Sequence, residues 1–229
     1  MDLLDTPAWH KGTAFEEQKV YARDRNEVVG WPRSEHGQIG LGQVIGKIDA
    51  TMLIGLSIVK GIFSEAIARH MAGKTERPII FPLSNPTSHS EAEPADLLTW
   101  TQGRALVATG SPFAPVAYGG RTIEIAQCNN VFIFPAVGLG VVGSGASRVT
   151  DKMLLAAAKA LGDHSPALQD PNGSLLPGVK AIREVALDIA YAVAAKAQEE
   201  GLAPASDPAE LRKKLAQSQW FPNYWVYQL

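Results

Sequence analysis

The chain has 229 residues, 46% of them hydrophobic, with a formal net charge of -2 and a single cysteine. That length buries one sizeable core, or one domain with an extension, and the near-neutral charge offers no basic surface for a phosphate backbone, which argues against nucleic acid as a partner. Cys128 alone cannot form an internal disulfide, so a reducing compartment is expected, with the cytoplasm as the default localisation.

The opening MDLLDTPAWHKG has neither a basic n-region nor an apolar h-region and does not read as a signal peptide. No apolar run reaches the roughly 20 residues of a spanning helix, so a soluble protein with no membrane contact is expected. Residues 1–48 mix charge, Trp, Pro and Gly without a sustained period and read as irregular with short helices. Within them Gly40 to Gly46, GLGQVIG, approximates a dinucleotide fingerprint. The polar SEHGQI stands before it where a strand should be, and the spacing has one residue too many, so it reads as ordinary structure.

From Ala50 onward short apolar runs alternate with amphipathic segments of helical length. A strand is expected from Thr51 to Leu56, apolar as a strand covered on both faces would be. A helix follows from about Ser64 to Gly73, with Ile67 and Met71 facing a core. A second strand runs from Pro78 to Leu83, then a helix opens at Pro94 and carries Leu97, Leu98 and Thr101, and a third strand covers Ala105 to Thr109. Three consecutive strand–helix units predict a parallel sheet with right-handed crossovers, and in such sheets the ligand crevice lies outside the carboxyl ends of the strands. Those ends carry Leu56-Ser57, Ser84-Asn85-Pro86 and Gly110-Ser111-Pro112.

Further on, Gly119-Gly120 reads as a hairpin tip, and Val131 to Phe134 as a buried apolar segment. Glycines 138, 140, 143 and 145 suggest a helix packed tightly on its neighbours. Thr150 caps a helix from Asp151 to Leu161 that Gly162 should close, and a longer amphipathic helix is expected from about Val179 to Glu199. The end, SQWFPNYWVYQL, is an aromatic tail expected to dock on a surface or on another subunit.

Several side chains admit two readings. Asn85, Asn129 and Asn130 are either turn and cap residues or uncharged donors and acceptors for a carboxylate, hydroxyl or carboxamide. Glu91, Glu93 and Asp96 read as a solvated helix start, and Lys60 as either an anion contact or surface. Histidines 10, 36, 70, 89 and 164 show no ligand spacing. Ser111 has no G-x-S-x-G context.

RPIIFPLSNPTSHSEAEPADLLTWTQGRALVATGSPFAPV, followed by IAQCNNVFIFPAVGLGVVGSGASRVTDKMLLAAAKAL, resembles the C-terminal half of the malic enzymes, most closely the bacterial and organellar NAD type. The likeness is dense from about Thr51 to Leu161 and rests on LSNPT, ATGSPF, CNNVFIFP and SRVTD occurring in that order. It implies an α/β fold, a partial doubly wound, Rossmann-like parallel sheet with a C-terminal helical extension. The implied organisation is a poorly patterned segment over 1–48, the distal half of an NAD-binding domain over 49–162, and the extension with its aromatic tail over 163–229.

The same resemblance implies oxidation of L-malate with NAD, NADP being the alternative, and a divalent metal, Mg or Mn, followed by decarboxylation to pyruvate. Asn85 then lies against nicotinamide ribose and substrate, Asn130 binds the malate carboxylate, and Asn129 is its neighbour on the cofactor side. Leu56 and Ser57 belong to the loop covering the adenosine, and Ser84 joins Asn85 in cofactor binding. The family's catalytic Tyr and Lys, its acidic metal ligands and its Gly-rich pyrophosphate loop fall upstream of the matched part, Leu3-Leu4 being a remnant of a preceding turn. The expectation is therefore a chain inactive by itself, and a homo-oligomer. The alternative is a non-catalytic remnant that oligomerises or binds a nucleotide.

Overall fold

The computed structural model describes residues 24–35 and 37–221. The expectations on Leu3-Leu4, His10, His36 and the tail beyond Phe221 lie outside the described residues. The chain divides into two compact units, one running up to Gly110 and including Val116–Thr122, the other made of Ser111–Pro115 and Ile123 onward.

The first unit is built on parallel strands β1 (Met52–Gly55), β2 (Ile79–Pro82) and β3 (Leu106–Thr109), in the order β1-β2-β3 with β1 at an edge. Leu53 pairs with Ile80 and Ile80 with Val107, so the three strands point one way. Flanking bonds from Ile79 N–H to the Thr51 carbonyl and from Leu83 N–H to the Gly55 carbonyl carry the pairing out to the expected strand limits.

Helix α1 (Leu41–Ile45) precedes β1 and holds the GLGQVIG stretch. Gln43 Oε1 accepts from Gly40 N–H at 2.6 Å, and Ile45 is buried beside Ile67 and Met71. The stretch is thus a capped helix anchored by its apolar residue. Helix α2 (Glu65–Lys74) crosses from β1 to β2 and buries Ile67, Ala68, Met71 and Ala72. Ser64 stands at its N-cap without a side-chain bond, and Gly73 lies inside the helix, which ends one residue later than expected. Helix α3 (Pro94–Trp100) starts on Pro94 and buries Leu97 and Leu98. Arg104, entering β3, donates to the Ala72 carbonyl at 2.8 Å and ties the end of α2 to the start of the strand. The hairpin β4 (Val116–Tyr118) and β5 (Arg121–Ile123) turns on Gly119 and Gly120, both at positive φ, as expected.

One expectation fails at β1. Leu53 and Gly55 are buried, but Met52 and Ile54 on the other face are 51% and 49% exposed. An edge position without a covering layer among the described residues explains why an all-apolar strand shows one face to solvent.

The second unit begins with the short strand β6 (Ala126–Gln127) and a 3-10 turn over Asn130–Phe132. It is then helical: α4 (Phe134–Ser144), α5 (Asp151–Asp163), α6 (Ile182–Glu199) and α7 (Pro208–Ser218). Val131 to Phe134 is not a buried run. Phe132 alone is buried, while Phe134 is 77% exposed, because the 3-10 turn points successive side chains in different directions.

Helix α6 is the centre of this unit, burying Val185, Ile189, Val193 and Ala197 against Ala136 of α4 and Met153 and Ala157 of α5. Its Ala190 and Ala194 meet Leu211 and Leu215 of α7. The glycines of α4 split in role. A Cβ on Gly140 would stand 2.6 Å from the Ala190 carbonyl oxygen, whereas one on Gly138 would meet nothing within 4 Å. Thr150 caps α5, its Oγ1 accepting from Met153 N–H at 3.3 Å, but Gly162 does not close the helix, which ends at Asp163. Helix α7 was not expected. Its signals were present in the Asp207 cap, which accepts from Ala209 and Glu210 N–H groups, in Pro208 at its start and in Leu211 and Leu215 four residues apart.

Candidate functional site

Because β1 and β2 run in parallel, Leu56-Ser57 and Ser84-Asn85 emerge side by side at their carboxyl ends. What holds the two ends together is Glu91, whose side chain reaches back between them and is fully buried. Glu91 Oε1 accepts from Ser57 N–H at 2.8 Å, from Ser57 Oγ at 2.9 Å and from Ser84 Oγ. Its Oε2 accepts from Ser84 N–H at 3.3 Å. The two hydroxyls pass the interaction on, Ser84 Oγ accepting from Ile58 N–H at 2.9 Å and Ser57 Oγ from Val59 N–H at 3.3 Å. The Glu91 carbonyl accepts from Phe63 N–H at 3.1 Å, fastening the far end of the β1 loop.

This corrects the reading of Glu91 as part of a solvated helix start. The residue stands three positions before Pro94, outside the first turn of α3, and faces inward. Burial pushes its carboxyl up, and the bonds from the Ser84 hydroxyl and the Ser57 N–H outweigh that, holding it below the usual carboxylate range. The corner also dictates a glycine. A Cβ on Gly55 would fall 2.6 Å from the Glu91 carboxyl carbon and 2.7 Å from the Phe63 ring.

With its N–H groups engaged, the β1 loop presents side chains to solvent. Leu56 is 75% and Ile58 60% exposed, and Ile58 sits at φ 59°, a conformation that a β-branched residue takes only when held. Asn85 is exposed at the end of β2, and the Asn85–Pro86 peptide bond is cis. Gly110, at the end of β3, comes so close that a Cβ there would stand 2.0 Å from the Leu83 carbonyl oxygen and 3.1 Å from Asn85 Nδ2. Leu56, Ser57, Ser84 and Asn85 are thus brought to one edge of the first unit.

Asn129 and Asn130 lie in the second unit. Asn129 caps the 3-10 turn, its Oδ1 accepting from Val131 N–H at 2.9 Å, while Asn130 is exposed on the first position of that turn. Cys128 is half-buried, and burial pushes its thiol up, away from thiolate chemistry. Lys60 is exposed on the β1 loop.

Among the described residues no group of three His, Cys, Asp or Glu side chains is placed to hold a metal ion, so these residues do not fit the divalent metal that the resemblance implies. The strand-end corner fits a dinucleotide better in its nucleoside than in its pyrophosphate, since apolar side chains and an amide are displayed while the loop N–H groups are engaged. No helix among the described residues is long and apolar enough to cross a membrane.

A parallel sheet crossed by helices, with polar and apolar groups gathered at its strand ends, defines the class of open α/β nucleotide-binding domains. The family model described as "Malic enzyme, NAD binding domain" matches residues 10–198. The chain belongs to that family. It is 49% identical to the NAD-dependent malic enzyme of Edwardsiella ictaluri and 47% identical to that of Acinetobacter baylyi, each over 211 residues. Those matches cover 92% of this chain and 37% of the relative, so the chain spans little more than a third of the length of the curated relatives it matches. Among solved structures, malic enzyme from Pyrococcus horikoshii Ot3 matches with TM-score 0.59 and 25% identity over 77% of this chain and 36% of that one. Entamoeba histolytica malic enzyme matches in fold with TM-score 0.61.

Proposed function

We propose that this chain is the cofactor-side part of an NAD-dependent malic enzyme, in which L-malate gives up a hydride to NAD and the resulting oxaloacetate-like acid loses CO2 to form pyruvate. The observation carrying this reading is the exposed position of Asn85 at the carboxyl end of β2, beside the loop of Leu56 and Ser57, in a chain matched by the family over residues 10–198. In this reading Leu56, Ser57, Ser84, Asn85 and Asn129 line the cofactor, and the amides of Asn85 and Asn130 hold the substrate.

An amide can donate to a carboxylate while accepting from a hydroxyl, so it orients malate without adding a charge that would compete with the nicotinamide cation. Hydride removal needs a base and stabilisation of charge on the substrate oxygen, which these residues do not supply. The reading therefore assigns those tasks outside them, and with NADP as the lesser cofactor.

Calorimetric titration with NAD tests the binding half. Without a pyrophosphate loop among the matched residues the unsubstituted chain is expected to bind weakly at most, and Asn85→Ala to weaken that binding about tenfold through the loss of one polar contact. Equal affinity in both removes Asn85 from the site. In a malate-dependent NAD reduction assay with Mg or Mn, the chain by itself is expected to show no turnover, and metal-dependent turnover would overturn the assignment of base and metal ligands elsewhere.

A second reading rests on the exposed Met52 and Ile54 at the sheet edge. An apolar face beside a strand edge that no described strand pairs is a surface for self-association, and a non-catalytic, oligomerising role would use it. Sedimentation separates the two readings, since a stable oligomer without NAD affinity favours the second.

A further inference from the structure

The loop after β1 has the form of an anion site. The N–H groups of Ser57, Ile58, Val59 and Ser84 converge on one position, directly or through the hydroxyls of Ser57 and Ser84. Converging N–H groups at strand ends are what nucleotide-binding sheets use for phosphates. Here the position is filled by the chain's own Glu91, fully buried and, among the described residues, with no lysine or arginine as a partner.

We infer that Glu91 is the positioning residue of the strand-end corner: its carboxylate occupies the anion cradle, so that the β1 loop meets its ligand with the apolar ledge of Leu56 and Ile58 and accepts an uncharged ring rather than a phosphate. Two further observations agree with this. The positive φ of Ile58 turns its side chain outward and is fixed by the bond from Ile58 N–H to Ser84 Oγ, the hydroxyl that itself donates to Glu91. Gly55 is the one residue that leaves room for the carboxylate, since any Cβ there would meet it. Glu91 touches no ligand itself. It acts through Ser57 and Ser84.

Only the ligand arm of this inference rests on the nucleotide reading proposed above, and the test keeps the two apart. Glu91→Gln preserves the shape but replaces one acceptor oxygen with a donor amide, leaving N–H groups opposed. Met71→Ala, in the core of α2 and outside the corner, is the control for a general loss of stability. Amide hydrogen exchange in Glu91→Gln is expected to quicken at Ser57, Ile58, Val59 and Ser84 by about a hundredfold over the control. NAD is expected to bind about tenfold more weakly than to the control.

Exchange no faster than in Met71→Ala overturns the role given to Glu91, as does an NAD affinity equal to the control's. An unsubstituted chain that binds no NAD at all overturns the nucleotide reading instead, and the exchange result alone then decides the cradle. Should Glu91→Gln fail to fold, the pair Ser57→Ala and Ser84→Ala reads the same amides, with the same expected quickening and the same overturning result.

Discussion

A carboxylate taken out of water without a cation beside it survives as an anion only if donors surround it. At Glu91 the donors are two serine hydroxyls and two backbone N–H groups. Because its carboxyl is held below the ordinary value in the folded protein, the stability it contributes is fully present above its unfolded pKa and is lost as pH falls through the folded one. Thermal melts from about pH 7 down to about pH 3 are expected to show a steeper acid loss for the unsubstituted chain than for Glu91→Gln, which has no proton to take up there. Parallel slopes would mean that Glu91 does not titrate differently on folding. This residue was not legible in the sequence. Acids ahead of a helix usually face solvent, and the partners that bury this one, Ser57 and Phe63, lie 34 and 28 positions earlier. Asn85 and Asn130 were legible as candidates because each follows or opens an apolar run, yet spacing alone left them between cap and ligand. Asn129 is a cap in the structure, and that does not decide its part toward a cofactor.

At the scale of the element, α4 offers the cleanest separation of causes. Alanine favours a helix over glycine by about 1 kcal/mol where nothing is in the way. Gly138→Ala is therefore expected to stabilise the chain by roughly 0.5–1 kcal/mol. Gly140→Ala meets the Ala190 carbonyl and the Val193 side chain at distances no real Cβ adopts, and moving α4 off α6 is expected to cost about 1–3 kcal/mol instead. Chemical denaturation of the two variants checks both signs at once. The strands and the helices α2, α3 and α6 were legible since their apolar periods are unbroken, and the structure moves their ends by one to three residues. Helix α7 was obscured by its lysines and by the aromatic residues after it. The stop expected at Gly162 did not materialise, for a glycine near a helix end closes it only when the backbone turns left-handed there, as it does at Gly145.

On the scale of the whole chain, the parallel sheet and its helices followed from the alternation of strand and helix patterns, but the state of β1 did not. Its run of apolar residues predicts cover on both faces, and one face has no cover among the described residues. Replacing Ile54 by lysine puts a charge on that face without touching the buried Leu53 and Gly55. If the open face drives self-association, Ile54→Lys is expected to shift the chain toward monomer in sedimentation while leaving its melting temperature within a few degrees. An unchanged oligomeric state would acquit this edge.

The segment from Asn85 to Ser90 is a hoop closed at its neck, since Ser84 and Glu91 grip each other by backbone and side chain. Thr87, Ser88 and His89 ride on its outer rim, all exposed. A hoop tied in this way tolerates change on the rim without loosening the sheet behind it. Ser88 and His89, beyond the LSNPT motif, are the rim positions at which a chain of this build can change what it touches while keeping what holds it up.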